Sequence, residues 1–420
     1  MIKKNVYKLA DFGFTRKLSI KKEQYIDEVC GTPLYMAPQL LFNQKYNFFY
    51  STLRLFIFVS VKKLLATLFV LSIISIVNAQ SKHEWGIESR FKSGFLAAHR
   101  GVMGHLTTEH AFAGELSFFV QTKGKKEWHS VCNYPTVGGT LFGGTAGNME
   151  ILGSMWGAYA FIEFPFIKSK WYEFSGKFGS GLGYVTKVFN YENNPKNVAM
   201  SSHINTIVSF GVKSRFKFGT NSVTLGLDMT HFSNAASKVP NLGINMPYLS
   251  LGYSRMIRLT QMDSIPTANK LPFKKWLFNF TAIGSMKEMF PTGGKKYAVY
   301  ALSSSARWFA KPKVGMEFGL DLISKQAILD YRPEVEKTQW DIFQIGIFGA
   351  YLVPLDRFHF GIGMGVYVKD KFQPEDALYH RISLRYYLDN GLNFNIGLKS
   401  HWARADYAEW GLGYTINYKR

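Results

Sequence analysis

His231 and Ser233 are the residues of this chain best placed to do chemistry. They close an alternating segment in which Val223, Leu225, Leu227 and Met229 make an apolar face. Thr224, Gly226, Asp228 and Thr230 make the other face. By parity the histidine and the serine continue the apolar side. Residues two apart on one strand face stand about 6.5–7 Å apart along the backbone, and their side chains can lean into hydrogen-bond range. A serine hydroxyl becomes a nucleophile beside a base, and imidazole is the usual one. A polar pair on an apolar face is out of place unless that face meets a membrane holding the substrate. Such a pair can reach an ester within the membrane without a soluble pocket. His-x-Ser alone is a common tripeptide, so the elements that carry it must decide.

Those elements show period two. Phe358, Phe360, Ile362, Met364, Val366 and Val368 alternate with small or polar neighbours. So do Leu392, Phe394, Ile396 and Leu398, and Trp410, Leu412, Tyr414, Ile416 and Tyr418. Period two means a strand with one apolar face. A β-sandwich alternates as well. Here the segments run to about 9–13 residues, which suits a tilted membrane-crossing strand. Aromatics gather near segment ends, as in Trp171-Tyr172 and Tyr386-Tyr387, like interfacial girdles. Leu388-Asp389-Asn390-Gly391 is a short polar turn. Closure into a barrel removes the edges that so many strands expose.

Candidate strands lie near 85–95, 111–121, 153–165, 171–189, 204–217, 221–233, 247–258, 275–286, 295–310, 313–324, 340–353, 357–369, 378–388, 391–401 and 405–418. That makes 15, while single-chain bacterial barrels use even numbers, so one is misassigned or one is missed around 135–144. The expectation is an all-β, transmembrane antiparallel barrel of the outer membrane, with about 14 strands and 12–16 allowed. No domain boundary is expected within it, and Ile265-Pro266-Thr267-Ala268-Asn269 reads as a loop.

The barrel occupies 80–420, and two other pieces precede it. At 61–79, Lys62-Lys63, the apolar run Leu64 to Val77 and the small residues of Val77-Asn78-Ala79 make a secretory signal peptide ending before Gln80. Its apolar run of about 14 residues is shorter than the roughly 20 of a spanning helix. A signal peptide belongs at a start, so Val61 is the expected bacterial start and 1–60 an unrelated join. Those first residues resemble a Ser/Thr protein-kinase activation segment over 6–47. The likeness rests on Asp11-Phe12-Gly13 and on Cys30-Gly31-Thr32-Pro33-Leu34-Tyr35-Met36-Ala37-Pro38-Gln39. In that family the Asp holds magnesium and an Ala-Pro-Glu element closes the loop; here Gln39 replaces the Glu. No Gly-rich loop, strand lysine, partner glutamate or His-Arg-Asp loop accompanies them, so the segment is expected to be inert.

The full chain carries +21, and from Gln80 onward 39 Lys and Arg stand against 25 Asp and Glu, about +14. No helix–turn–helix, zinc-finger or RNA-recognition pattern accompanies this charge, so an anionic lipid surface is the expected partner rather than nucleic acid. Cys132 is the one cysteine after the signal, which precludes an internal disulfide, and it is expected to be inert. His99, His105, His110 and His129 fall in a loop-like stretch without metal-ligand spacing. Gly138-Gly139 to Gly143-Gly144 lacks a phosphate-loop lysine and reads as a flexible loop.

His231-Phe232-Ser233-Asn234-Ala235-Ala236, followed by Pro240-Asn241-Leu242-Gly243-Ile244-Asn245, resembles the outer-membrane lipid A 3-O-deacylases. The likeness is strong through Leu249-Ser250-Leu251-Gly252-Tyr253 and diffuse before Val223. It implies a His–Ser–Glu triad on the outer wall of a barrel and hydrolysis of the ester-linked acyl chain at position 3 of lipid A. Typical members have eight strands, so the region after Leu259 is extra. Carried over, Ser233 is the nucleophile, His231 the general base, and Asn234 with nearby backbone amides the oxyanion stabiliser. The acid falls fourteen residues after the histidine, where this chain has Asn245. Asn accepts a hydrogen bond but leaves the imidazolium charge unbalanced. The parity of Asp228 points inward, away from the pair. Pro240, Asn241 and Gly243 make the turn that returns position 245 toward His231.

The implied substrate is lipid A of lipopolysaccharide among outer-membrane lipids, and serine esterase chemistry needs no metal or organic cofactor. Two other functions compete. One is a non-catalytic barrel or narrow pore, with inward glycines leaving lumen space. The other is an inactive kinase fragment that governs only the chain's apparent kinship.

Overall fold

The computed structural model describes residues 2, 3, 6, 7, 25, 26, 46 and 47, and 84–416 apart from 125, 259–275, 290, 291, 332 and 403. The chain divides into two compact units, Met1–Lys82 and His83–Arg420. In the first, the described residues are two short antiparallel pairs, Ile2–Lys3 with Val6–Tyr7 and Tyr25–Ile26 with Tyr46–Asn47. The signal peptide expected at 61–79 and the kinase-like Asp11-Phe12-Gly13 lie outside the described residues.

Among its described residues the second unit has sixteen long antiparallel strands, and they close into two rings of eight. The first ring is β1 (Glu84–Gly94), β2 (Ala111–Gln121), β3 (Thr136–Thr145), β4 (Ser154–Lys168), β5 (Tyr172–Val185), β6 (Ile204–Phe218), β7 (Asn221–Ser233) and β8 (Ile244–Arg258). The second is β9 (Trp276–Glu288), β10 (Lys296–Lys311), β11 (Val314–Lys325), β12 (Phe343–Leu355), β13 (Phe358–Lys369), β14 (Leu378–Tyr387), β15 (Leu392–His401) and β16 (Arg404–Ile416). Every pairing between sequence neighbours is a hairpin. The rings close where β8 returns to β1, from Tyr248 opposite Gly94 to Met256 opposite Gly86, and where β16 returns to β9, from Ile416 opposite Phe278 to Trp410 opposite Gly284.

The all-β barrel reading stands, and the strand missing near 135–144 is β3. The single ring does not stand: the strands make two barrels. Both rings lie within the one compact unit His83–Arg420; the first ends at Arg258, the second begins at Trp276, and Ile265-Pro266-Thr267-Ala268-Asn269 lies between them, outside the described residues. The reason is physical. A ring of eight has a lumen that side chains fill, whereas larger rings enclose water. The inward positions here are large and charged, and they fill two narrow lumens.

Burial is inverted relative to a soluble protein. Leu182 on the outer wall is 70 % exposed, while Lys92 inside is fully buried. Leu225, Leu227, Leu249 and Leu251 on the first ring and Leu302, Phe318, Ile396 and Leu412 on the second are also exposed. An apolar outside around a polar inside is the signature of a barrel solvated by lipid. In the first lumen Glu115 accepts from Lys92 (2.8 Å), Arg90 (3.4 Å), Lys177 (3.4 Å) and the Tyr159 hydroxyl (2.7 Å). Asp228 pairs with Arg90 at 3.1 Å and with Lys92, and Arg215 bridges Glu163 and Glu173 at 3.0 Å each. In the second, Arg385 holds Glu317 at 2.7 Å, Arg381 joins Asp321 to Glu409, and Lys325 holds Asp406 at 2.7 Å. Each of these charges has a counter-charge, which is what burial away from water demands.

The inward glycines do not leave lumen space. A Cβ on Gly183 would meet the Phe232 ring at 2.4 Å, one on Gly319 the Phe348 ring at 2.4 Å, and one on Gly365 the Tyr379 ring at 2.3 Å. Missing side chains accommodate aromatic rings, so the space expected for a pore is occupied.

Candidate active site

The site starts at the end of β7. Thr230 and Phe232 point inward and are fully buried, whereas His231 and Ser233 lie on the outward side and are half-buried. Phe232 anchors the tripeptide. Its ring lies 5.7 Å from that of Phe142 and fits over Gly183. Fixing the middle residue inside the ring fixes the two neighbours outside it.

The loop 234–243 then turns the chain into β8. Ala235 and Ala236 have positive φ (53° and 61°), Val239–Pro240 is cis, and Gly243 has φ 79°. The register that follows puts Asn245 directly opposite His231. His231 Nδ1 and Asn245 Oδ1 are 2.6 Å apart. The turn signals at Pro240, Asn241 and Gly243 therefore end where the sequence placed them. Gly243 also makes room: a Cβ there would stand 2.8 Å from His231 Cε1.

A carbonyl oxygen only accepts, so His231 Nδ1 donates, and Nε2 keeps its lone pair. That is the tautomer a general base requires. Among the described residues the Ser233 hydroxyl has no hydrogen-bond partner, so nothing competes for it. Asp228 faces inward and pairs with Arg90 and Lys92, as its parity implied.

Asn234 occupies a different position from the one expected. Its side-chain nitrogen lies within hydrogen-bond range of Ser201 Oγ (3.1 Å), Ser202 Oγ (2.9 Å) and Lys238 O (3.0 Å). Its backbone N–H donates to Asn241 Oδ1 at 3.1 Å. These donors tie the loop to the segment before β6 and are not turned toward Ser233 as oxyanion ligands. The backbone amides of Ala235 and Ala236 have no hydrogen-bond partner among the described residues.

His99 joins the site unannounced by the sequence. Asn245 Nδ2 is 3.1 Å from His99 Nδ1, and Asn245 O accepts from Ala97 N–H at 2.8 Å. The segment that continues β1 is thus laid against β8. Of the other loop histidines, His105 Nε2 lies 2.8 Å from Lys196 O, and His129 is buried. Glu375, His401 and Asp406 are the group of metal-ligand type found among the described residues, with ligand atoms within 4.8 Å of one another. Lys325 and Lys287 already neutralise its carboxylates. Burial raises the Cys132 thiol pKa against the opposing pull of Lys313, which suits an unreactive side chain.

Comparison with known proteins agrees with this division. A family model described as lipid A 3-O-deacylase (PagL) matches residues 113–254, most of the first ring. A second, described as acyloxyacyl hydrolase, C-terminal domain, matches 276–418, the second ring. The lipid A 3-O-deacylase match thus falls on the first barrel and the acyloxyacyl hydrolase match on the second. A serine/threonine-protein kinase of Acanthamoeba polyphaga mimivirus is 57 % identical over 42 residues, 10 % of this chain and 9 % of the kinase. The Arabidopsis thaliana kinase ATG1a is 50 % identical over 40 residues, 10 % of this chain and 6 % of the kinase. The chain therefore spans under a tenth of the length of these curated relatives. A triple mutant of the Rhodopseudomonas blastica porin aligns over 80 % of this chain and 100 % of its own, at 9 % identity. Its TM-score of 0.17 carries no argument.

Proposed function

We propose that a chain whose two barrels match these families is an outer-membrane serine esterase that removes an ester-linked acyl chain from lipid A. One observation carries the proposal: His231 is fixed by Asn245 on the outer wall, its Nδ1 2.6 Å from Oδ1, beside an unengaged Ser233. Ser233 Oγ attacks the acyl carbonyl while His231 Nε2 takes the hydroxyl proton. The oxyanion forms against the backbone amides of Ala235 and Ala236, with Asn234 shaping the loop that presents them. Collapse breaks the ester bond, and the imidazolium returns its proton to the departing 3-hydroxyl of the sugar. Water, deprotonated by His231, then releases the fatty acid and restores Ser233. Asn245 holds the imidazole but does not neutralise it, so turnover is slower than with a carboxylate.

The wall supports an acyl chain beside the serine. Residue pairing runs from Ser233 through Thr206, Leu182 and Ala158 to Leu141. That row enters an open hollow of about 810 Å³ whose exposed lining includes Leu116, Leu141, Trp156, Leu182 and Ile204. Export through the signal at 61–79 is part of the proposal, and phosphoryl transfer by the kinase-like segment is not.

Expression of Gln80–Arg420 in bacterial outer membranes, followed by mass spectrometry of extracted lipid A, tests the activity. We expect loss of one 3-hydroxyacyl mass with the wild type and none with Ser233→Ala. Unchanged lipid A beside a folded wild-type barrel overturns the assignment.

A further inference from the structure

We infer that His99 is a positioning residue for the proposed esterase, setting the tautomer of His231 through the Asn245 side chain. The inference rests on that functional reading and explains how the site works with asparagine at the acid position. A carboxylate presents only acceptors, so it orients a histidine whichever way its own group turns. An amide does not. With Oδ1 toward His231, Nδ1 of the imidazole carries hydrogen and Nε2 is a free base. With Nδ2 toward His231, Nδ1 must accept, the hydrogen moves to Nε2, and the nitrogen that faces serine has no lone pair.

The amide's other end couples these states to the tautomer of His99. Asn245 Nδ2 lies 3.1 Å from His99 Nδ1, and a primary amide nitrogen can only donate. His99 Nδ1 therefore accepts, which points Oδ1 at His231, where the separation is 2.6 Å. A turned amide would face its carbonyl oxygen against that nitrogen and would be accommodated only with the His99 hydrogen on Nδ1 instead of Nε2. The carrier segment is well held: Ala97 N–H donates to Asn245 O at 2.8 Å, and Leu96 is buried in the first ring's core. His99, Asn245 and His231 thus form one line of hydrogen bonds in which the direction of each determines the next.

The test uses the full chain, with His99→Ala in the natural background and in Asn245→Glu. In the natural background kcat for lipid A deacylation should fall roughly tenfold or more with KM within about twofold, since transition-state positioning alone is lost. In Asn245→Glu the same change should alter kcat by less than about threefold, because a carboxylate needs no second partner. Nitrogen-15 imidazole spectra of the natural protein should show His231 as the Nδ1–H tautomer, and His99→Ala should show a mixture. Equal losses in both backgrounds, or an unchanged tautomer in His99→Ala, overturn the inference. If the folded wild type is inactive, the functional reading fails instead, and the tautomer spectra still decide the role of His99.

Discussion

Gly243 leaves open the space in which the His231 imidazole sits. Its φ of 79° is strained for any residue with a side chain, by about 1–2 kcal/mol, and its missing Cβ is the space beside His231 Cε1. Gly243→Ala adds a methyl 2.8 Å from that carbon, so the ring must shift. A displacement near 1 Å costs on the order of 100-fold in rate. We expect deacylation to fall by about that factor while the barrel keeps its heat-modifiable electrophoretic mobility. Gly219→Ala is the control. It has the same kind of backbone strain, at φ 62°, with nothing within 4 Å of the new methyl and no link to the site. Comparable rate losses in both variants would show that strain, rather than contact with His231, is responsible.

At the scale of elements, the loop 234–243 is braced by the end of β9. Glu288 is buried, its Oε2 accepts from Val239 N–H at 3.1 Å, and its own N–H donates to Ala236 O at 3.4 Å. Its other oxygen accepts from Gly293 N–H at 2.6 Å. Glu288→Ala strands the Val239 and Gly293 amides, at roughly 1 kcal/mol per lost bond, and should expose the loop to tryptic cleavage after Lys238 with a several-fold loss of activity. Glu288→Gln keeps one acceptor and should lose less; equal resistance to trypsin in all three proteins would dismiss the brace. The strands were legible because period two is written locally along each one. β3 was obscured because Gly138, Gly139, Gly143 and Gly144 leave it little apolar face. Ring closure was not legible: the same alternation serves one ring or two, and the decision lies in pairings between strands far apart in the chain. His231, Ser233 and Asn245 were legible because one turn joins them. His99 was not, because it meets Asn245 across 146 positions and only when β1 closes on β8.

For the whole molecule, two rings of eight have a different consequence from one ring of about 14. Each closes its own backbone hydrogen bonds, so neither leaves an edge in lipid. Each also surrounds a lumen narrow enough to be filled, and both are filled by ion pairs and aromatic rings. Arg215 between Glu163 and Glu173 crosses the first lumen, and Arg381 between Asp321 and Glu409 crosses the second. Moving an ion past either means breaking buried pairs, and stripping one partner from such a pair costs about 3–5 kcal/mol. The full chain in planar bilayers should therefore show no steady conductance above the lipid baseline, at any potential the bilayer withstands. Steady ohmic steps that Ser233→Ala leaves unchanged would mean that the lumens open, and would favour a pore over an esterase. Silence in the bilayer together with deacylation in the membrane assigns the outer wall, rather than the interior, as the working surface of the protein.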